Sequence, residues 1–199
     1  MKHLQRLVNA VWSLAMGGFL GLSSGLVLAV ILAFHTARAV EARPGVAPYD
    51  DPMFSQQWAD FIGGAIGRGL FHIGGSVGIA LLALAGVALA LQTVLYSKQS
   101  AAAPRRIRRL RLAMFAVVVV GMGLATRSVI QMDRLWPGLY DPAVSRETRD
   151  QSREQFNAIH NRSEQFVTIA WLAGFAALGM SPWCDEGSST DAVASGHEG

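Results

Sequence analysis

"LVNAVWSLAMGGFLGLSSGLVLAVILAF", residues 7–34, contains no charged side chain. A bilayer core takes about 20 apolar residues at 1.5 Å rise per residue, so this stretch crosses a membrane outright. "IGGSVGIALLALAGVALALQTVLY" (73–96) reads the same way. "LAMFAVVVVGMGLAT" (112–126) and "FVTIAWLAGFAALGMSPW" (166–183) are shorter and reach spanning length by taking a turn from their polar flanks. The reading is an all-α integral membrane protein, with helices over about 8–34, 72–96, 111–131 and 163–181 in a membrane domain of residues 1–183. Composition agrees, because 16% charged residues and a mean hydropathy of +0.31 over 199 residues are outside the range of an ordinary soluble domain. Residues 1–39 also imitate a secretory signal, with Lys2 and Arg6 ahead of the apolar run and "ARA" (37–39) after it. A signal's apolar region is about 7–15 residues, roughly half of this one, so an uncleaved first span is expected.

Orientation follows from "KQSAAAPRRIRRLRL" (98–112), which holds Lys98, Arg105, Arg106, Arg108, Arg109 and Arg111 in one short connection. Such a loop stays cytoplasmic, which puts both termini inside a bacterial inner membrane and the 35–71 and 131–163 connections outside. The net charge of +3 and pI near 9.5 come largely from this loop. Without aromatic interleaving it implies contact of Arg105–Arg111 with anionic lipids and no nucleic acid.

Between the spans, "EARPGVAPYDDP" (41–52) is turn-rich. "SQQWADFIGGAIGRGLF" (55–71) places Trp58, Ile62, Ile66 and Leu70 on one stripe and predicts a short interfacial helix before helix 2, weakened by Gly63, Gly64, Gly67 and Gly69. A charged helical extension begins at about Ser145 and runs into helix 4 without a breaker. Residues 184–199 form an acidic tail of small polar residues, expected to be disordered. The single Cys184 excludes an internal disulfide and a cysteine metal cluster.

Lipid gives no hydrophobic reward for helix association, so helices pack where small residues let backbones approach. Gly17, Gly21 and Gly25 of helix 1, Gly75 and Gly86 of helix 2 and Gly174 of helix 4 are the candidate packing positions. They predict an antiparallel bundle of four transmembrane helices with helix 1 against helix 2. The β-branched "FAVVVVGMG" of helix 3, Val118 included, is expected to turn one side to lipid.

Helical spacing sets Phe156, His160, Ser163, Val167 and Gly174 on one inward face of helix 4. It also brings Arg68 and His72 to the small-residue face of helix 2, and His35 into phase with Gly17. These groups, with Arg127 and Glu164, are expected to form a polar collar at the outer end of the bundle, Arg127 snorkelling or pairing with Glu164. The competing reading is a metal or haem site on His35, His72 and His160. No two histidines have tight local ligand spacing, so no cofactor is expected. Ser163 and His160 as a nucleophile–base pair lack a third group to orient the base, so no enzyme is expected either.

Two segments resemble a known family. "FIGGAIGR" (61–68) followed by "GLFHIGG" (69–75), and "QFNAIHNRSEQF" (155–166), are similar to blocks of the bacterial membrane family called domain of unknown function 4149, itself similar to the transmembrane protein 205 group. The family's Phe-x-x-x-His-x-x-Ser element falls on Phe156, His160 and Ser163, and its G-x-x-x-G-R-x-x-F element on Gly63, Gly67, Arg68 and Phe71. The resemblance covers roughly residues 10–180 and implies four spans without an activity. The sequence departs from it at "AFHTA" (33–37), where the family has a Pro, and at Val167, where it has an Asn. The functional expectation is a non-enzymatic scaffold or accessory subunit, with a membrane-protein partner or a second copy of itself. The alternative is binding or transport of a metal ion or small molecule at the collar.

Overall fold

A computed structural model describes residues 2–41, 58–97, 105–141 and 143–181. Among them the chain is entirely helical: α1 Lys2–Glu41, α2 Trp58–Ser97, α3 Arg105–Tyr140 and α4 Arg146–Gly179. Three helices are long and apolar enough to cross a membrane, over His3–Val40, Asp60–Leu95 and Arg106–Tyr140. Most of the 41–52 loop, Cys184 and the 184–199 tail lie outside the described residues.

Each helix runs past the limits that its apolar core suggests. The separate interfacial helix expected over 55–71 is not formed, because Trp58 onward continues as the first turns of α2. Gly63, Gly64, Gly67 and Gly69 lower helix propensity, yet none introduces a Pro or a β-branched run that would stop the helix. At the other boundary, α3 carries Pro137 in its last turn, and the Pro137 carbonyl accepts from the Asp141 N–H at 2.9 Å. The Ala143 N–H then donates to the Asp141 Oδ1 at 2.8 Å, and Ser145 caps α4 by accepting from the Thr148 N–H at 3.3 Å. This tight turn makes α3 and α4 a helical hairpin, and the charged extension before the apolar part of α4 is continuous with it.

The chain divides into two compact units, one of Met1–Leu20 with Leu81–Gly199 and one of Gly21–Ala80. In the first unit the contacts set the register of all four helices. A Cβ placed on Gly18 would meet Leu81 at 3.7 Å, and the Gln92 Nε2 donates to the Asn9 Oδ1 at 2.8 Å, so α1 and α2 run antiparallel. Gly121 lies against Ala170 and Gly138 against Ser152, so α3 and α4 do the same. Trp12, Met16, Phe19 and Val118 are the largest side chains without exposed surface, and they share a core with Leu82, Ala85, Phe115, Ala173 and Ala177. Leu14, Leu84, Val120 and Leu172 face outward, which is the arrangement lipid tails favour.

In the second unit the outer part of α1 lies antiparallel on α2. Phe34, Val30 and Leu26, spaced one turn apart, cover Gly63, Gly67 and Gly74. Arg38 and Asp60 add an exposed ion pair at 3.5 Å, worth little in solvent. The close approach is large-into-small: bulky side chains of α1 fill the spaces that glycine leaves on α2.

Candidate functional site

The packing stripe of α3 runs Arg111, Phe115, Val118, Ala125 and Ser128, all buried at helical spacing. Arg111 therefore faces the core of the first unit for the same geometric reason as Phe115. It is 4% exposed, and its guanidinium carbon lies 3.6 Å from the centre of the Trp12 ring, which is 0% exposed. Cation–π stacking of a desolvated pair contributes about 2 kcal/mol. Removing an arginine from water inside a span costs about 2.5–3.5 kcal/mol on insertion scales, so the stack offsets much of that cost. Arg111 Nε and Trp12 Nε1 are both buried donors with no hydrogen-bond partner.

Further polar groups collect at this end of the unit, where α1 and α3 begin and α2 finishes. Gln5 is buried beside the start of the core stripe of α1, and buried Gln92 donates to Asn9. Arg108 is half-buried one turn before Arg111, while Arg106 and Arg109 are exposed. The first turn of α3 holds no acidic residue. Partial charge at a helix start is positive, so Arg106, Arg108, Arg109 and Arg111 add to a field that already favours anions. Sequence patterning read Arg105–Arg111 as one lipid-facing run. The helical period instead splits it, sending Arg106 and Arg109 outward and Arg111 inward.

At the opposite end of the first unit the expected collar takes another form. Ser163 is buried on α4, but the His160 side chain is 50% exposed and turns away from the core. Its Nε2 lies 3.1 Å from the Glu164 carboxylate one turn on, and its ring stacks with Phe156 at 6.0 Å. Glu164 is thus paired within its own helix with His160, which leaves snorkelling as the other role expected for Arg127. Arg127 is exposed and lines an open depression of about 450 Å³ with Thr126, Gln131 and Arg134.

In the second unit His35, Arg68 and His72 are exposed. The Ser76 hydroxyl returns to the His72 carbonyl at 3.1 Å, which satisfies it inside the helix. Among the described residues, no group of three or more His, Cys, Asp or Glu side chains is placed to hold a metal ion.

The packing glycines also differ from the expected set. A Cβ on Gly17, Gly21, Gly25 or Gly75 would meet nothing within 4 Å. Gly86 approaches Phe115 at 3.5 Å, and Gly174 would meet Leu20 at 2.9 Å. Other close positions include Gly63, Gly67, Gly74, Gly121 and Gly138, whose partners are a phenylalanine, a valine, a leucine, a helix backbone and a serine. A small-residue stripe marks where a helix can be approached, and the bulk that arrives there is chosen by the neighbouring helix. Two signals in the sequence pointed to the basic end: Arg111 in phase with Phe115 and Val118, and Trp12 in phase with Val8, Met16 and Phe19.

No family model, curated protein or solved structure matches this chain.

Proposed function

We propose that the chain is an antiparallel bundle of four transmembrane helices in a bacterial inner membrane, with both termini cytoplasmic. It acts without catalysis, as a scaffold or accessory subunit that associates through α1. The register of the α3–α4 hairpin supports the fourth span: Gly121, in the middle of the apolar part of α3, lies against Ala170. Residues 166–179 of α4 therefore run at the depth of the α3 span. Exposed Arg106 and Arg109 are at the height where anionic headgroups would meet them.

One observation carries the scaffold reading. Gly17, Gly21 and Gly25 form a row along α1 that no described side chain fills, between exposed Leu14 and Leu28. A row of glycine at every fourth position is self-complementary and suits the close crossing of two identical helices. The occupant is a second copy of α1. Gly21→Leu tests it, because no described atom lies within 4 Å of a Cβ placed there. The wild type should sediment as a dimer in detergent, and Gly21→Leu as a monomer with unchanged thermal unfolding. A monomeric wild type, or a Gly21→Leu variant that remains dimeric, would overturn this assignment.

A further inference from the structure

We propose that the basic end of the first unit is a binding site for a phosphate group, held by Arg111 on its Trp12 platform at the start of α3. The buried groups here are of one kind. Among the described residues, Arg111 Nε and Trp12 Nε1 are buried donors with no acceptor, and the guanidinium stacks on the Trp12 ring. Two adjacent unmatched donors call for an acceptor, and the fixed positive charge of one calls for an anion.

The geometry suits phosphate in particular. Stacking on Trp12 engages one face of the guanidinium, whose N–H edge is the part that binds phosphate in bidentate fashion. Side chains of a helix lean toward its N-terminus, so Arg111 reaches back along α3 to the turn where Arg108 lies. Arg111 is six residues into α3, about 9 Å along its axis, which is within reach of a headgroup at the membrane boundary. Gln92 and Asn9 are already bonded to each other and do not supply the missing acceptor.

The phosphate is that of an anionic lipid headgroup or of a free phosphate, and the cytoplasmic placement of this end rests on the topology proposed above. Binding in detergent does not depend on that topology or on dimerisation, so the two proposals fail separately. The test uses the full chain in a non-ionic detergent, titrated at constant ionic strength with inorganic phosphate, with short-chain phosphatidic acid and with the matching phosphatidylcholine. Thermal unfolding and tryptophan fluorescence are both recorded, the second because Trp12 is the platform.

Saturable stabilisation by inorganic phosphate or phosphatidic acid is expected, with at least tenfold weaker binding in Arg111→Gln and unchanged binding in Arg109→Gln. Phosphatidic acid binding at least tenfold tighter than inorganic phosphate assigns the site to a headgroup; equal affinities assign it to free phosphate. Arg111→Lys keeps the charge but loses the planar fork, and it should bind at least several-fold more weakly, which keeps the test usable if Arg111→Gln does not fold. No saturable response in the wild type overturns the proposal, as does equal binding by Arg111→Gln or an equal response to chloride. Phosphate binding seen only after Asp185→Asn with Glu186→Gln would mean that the chain's own carboxylates supply the counter-charge, and would overturn it too.

Discussion

Gly121 of α3 and Ala170 of α4 meet so closely that a Cβ on the glycine would lie 3.0 Å from the Ala170 Cβ and 3.0 Å from the Phe166 carbonyl oxygen. One of those neighbours is helix backbone, which cannot rotate aside as a leucine tip can. Gly121→Ala should therefore destabilise the hairpin by about 1–3 kcal/mol, the usual cost of overpacking. Gly123, two residues on, meets nothing within 4 Å, and Gly123→Ala should be neutral or stabilise by up to about 1 kcal/mol through helix propensity. Thermal unfolding of the two variants in one detergent decides it, and equal effects would show that the α3–α4 contact is elsewhere.

The Gln92–Asn9 hydrogen bond, 2.8 Å long and part-buried, ties α2 to α1 near the basic end. Interhelical hydrogen bonds in membrane proteins contribute about 0.6 kcal/mol on average and up to about 1.7. Gln92→Leu and Asn9→Leu should each destabilise, since each strands the other's amide. The double variant should cost less than the two single effects summed. Strict additivity in the cycle would mean that the two amides do not interact.

His160 has a smaller role than an inward-facing residue would. Its contact with Glu164 is between i and i+4 on one helix, with both side chains at least half-exposed. Such pairs contribute about 0.3–0.5 kcal/mol. His160→Ala and His160→Gln should both stay within about 0.5 kcal/mol of the wild type in thermal unfolding. A loss of 2 kcal/mol or more would return His160 to the core.

Labelling decides the topology. In a Cys184→Ser background, a cysteine at Ser100 should be protected from an impermeant thiol reagent in intact cells. A cysteine at exposed Ala143, in the α3–α4 turn, should react. Reaction of both from outside would overturn the four-span arrangement.

The helical character of the chain, with helices long and apolar enough to cross a membrane, was legible from charge-free length alone. Backbone polar groups in lipid must be bonded within their own segment, so a run like 7–34 leaves no choice but helix. The charged start of α4 at Ser145 was legible as well, because a capping side chain and an unbroken helical pattern are local properties. Helix ends were less so: the turns over 58–71 join α2, since continuing a helix costs less than starting a new one.

Side-chain partnership came from the tertiary structure. Val118, expected against lipid among other β-branched residues, has no exposed surface, while Val120 on the same helix is 61% exposed. Composition around the two is the same, and only the position of α4 and α1 distinguishes them. Gly21 and Gly74 show the same dependence, one facing open space and the other covered by Leu26. The sequence by itself determined the solvent, the helices and the positions where another helix could approach, because those follow from hydropathy and local bonding. Which neighbour arrives, and so which arginine is buried on a tryptophan and which histidine is left outside, was decided by the rotation and register of packed helices. Those depend on contacts between residues far apart in the chain, and no local pattern carries them.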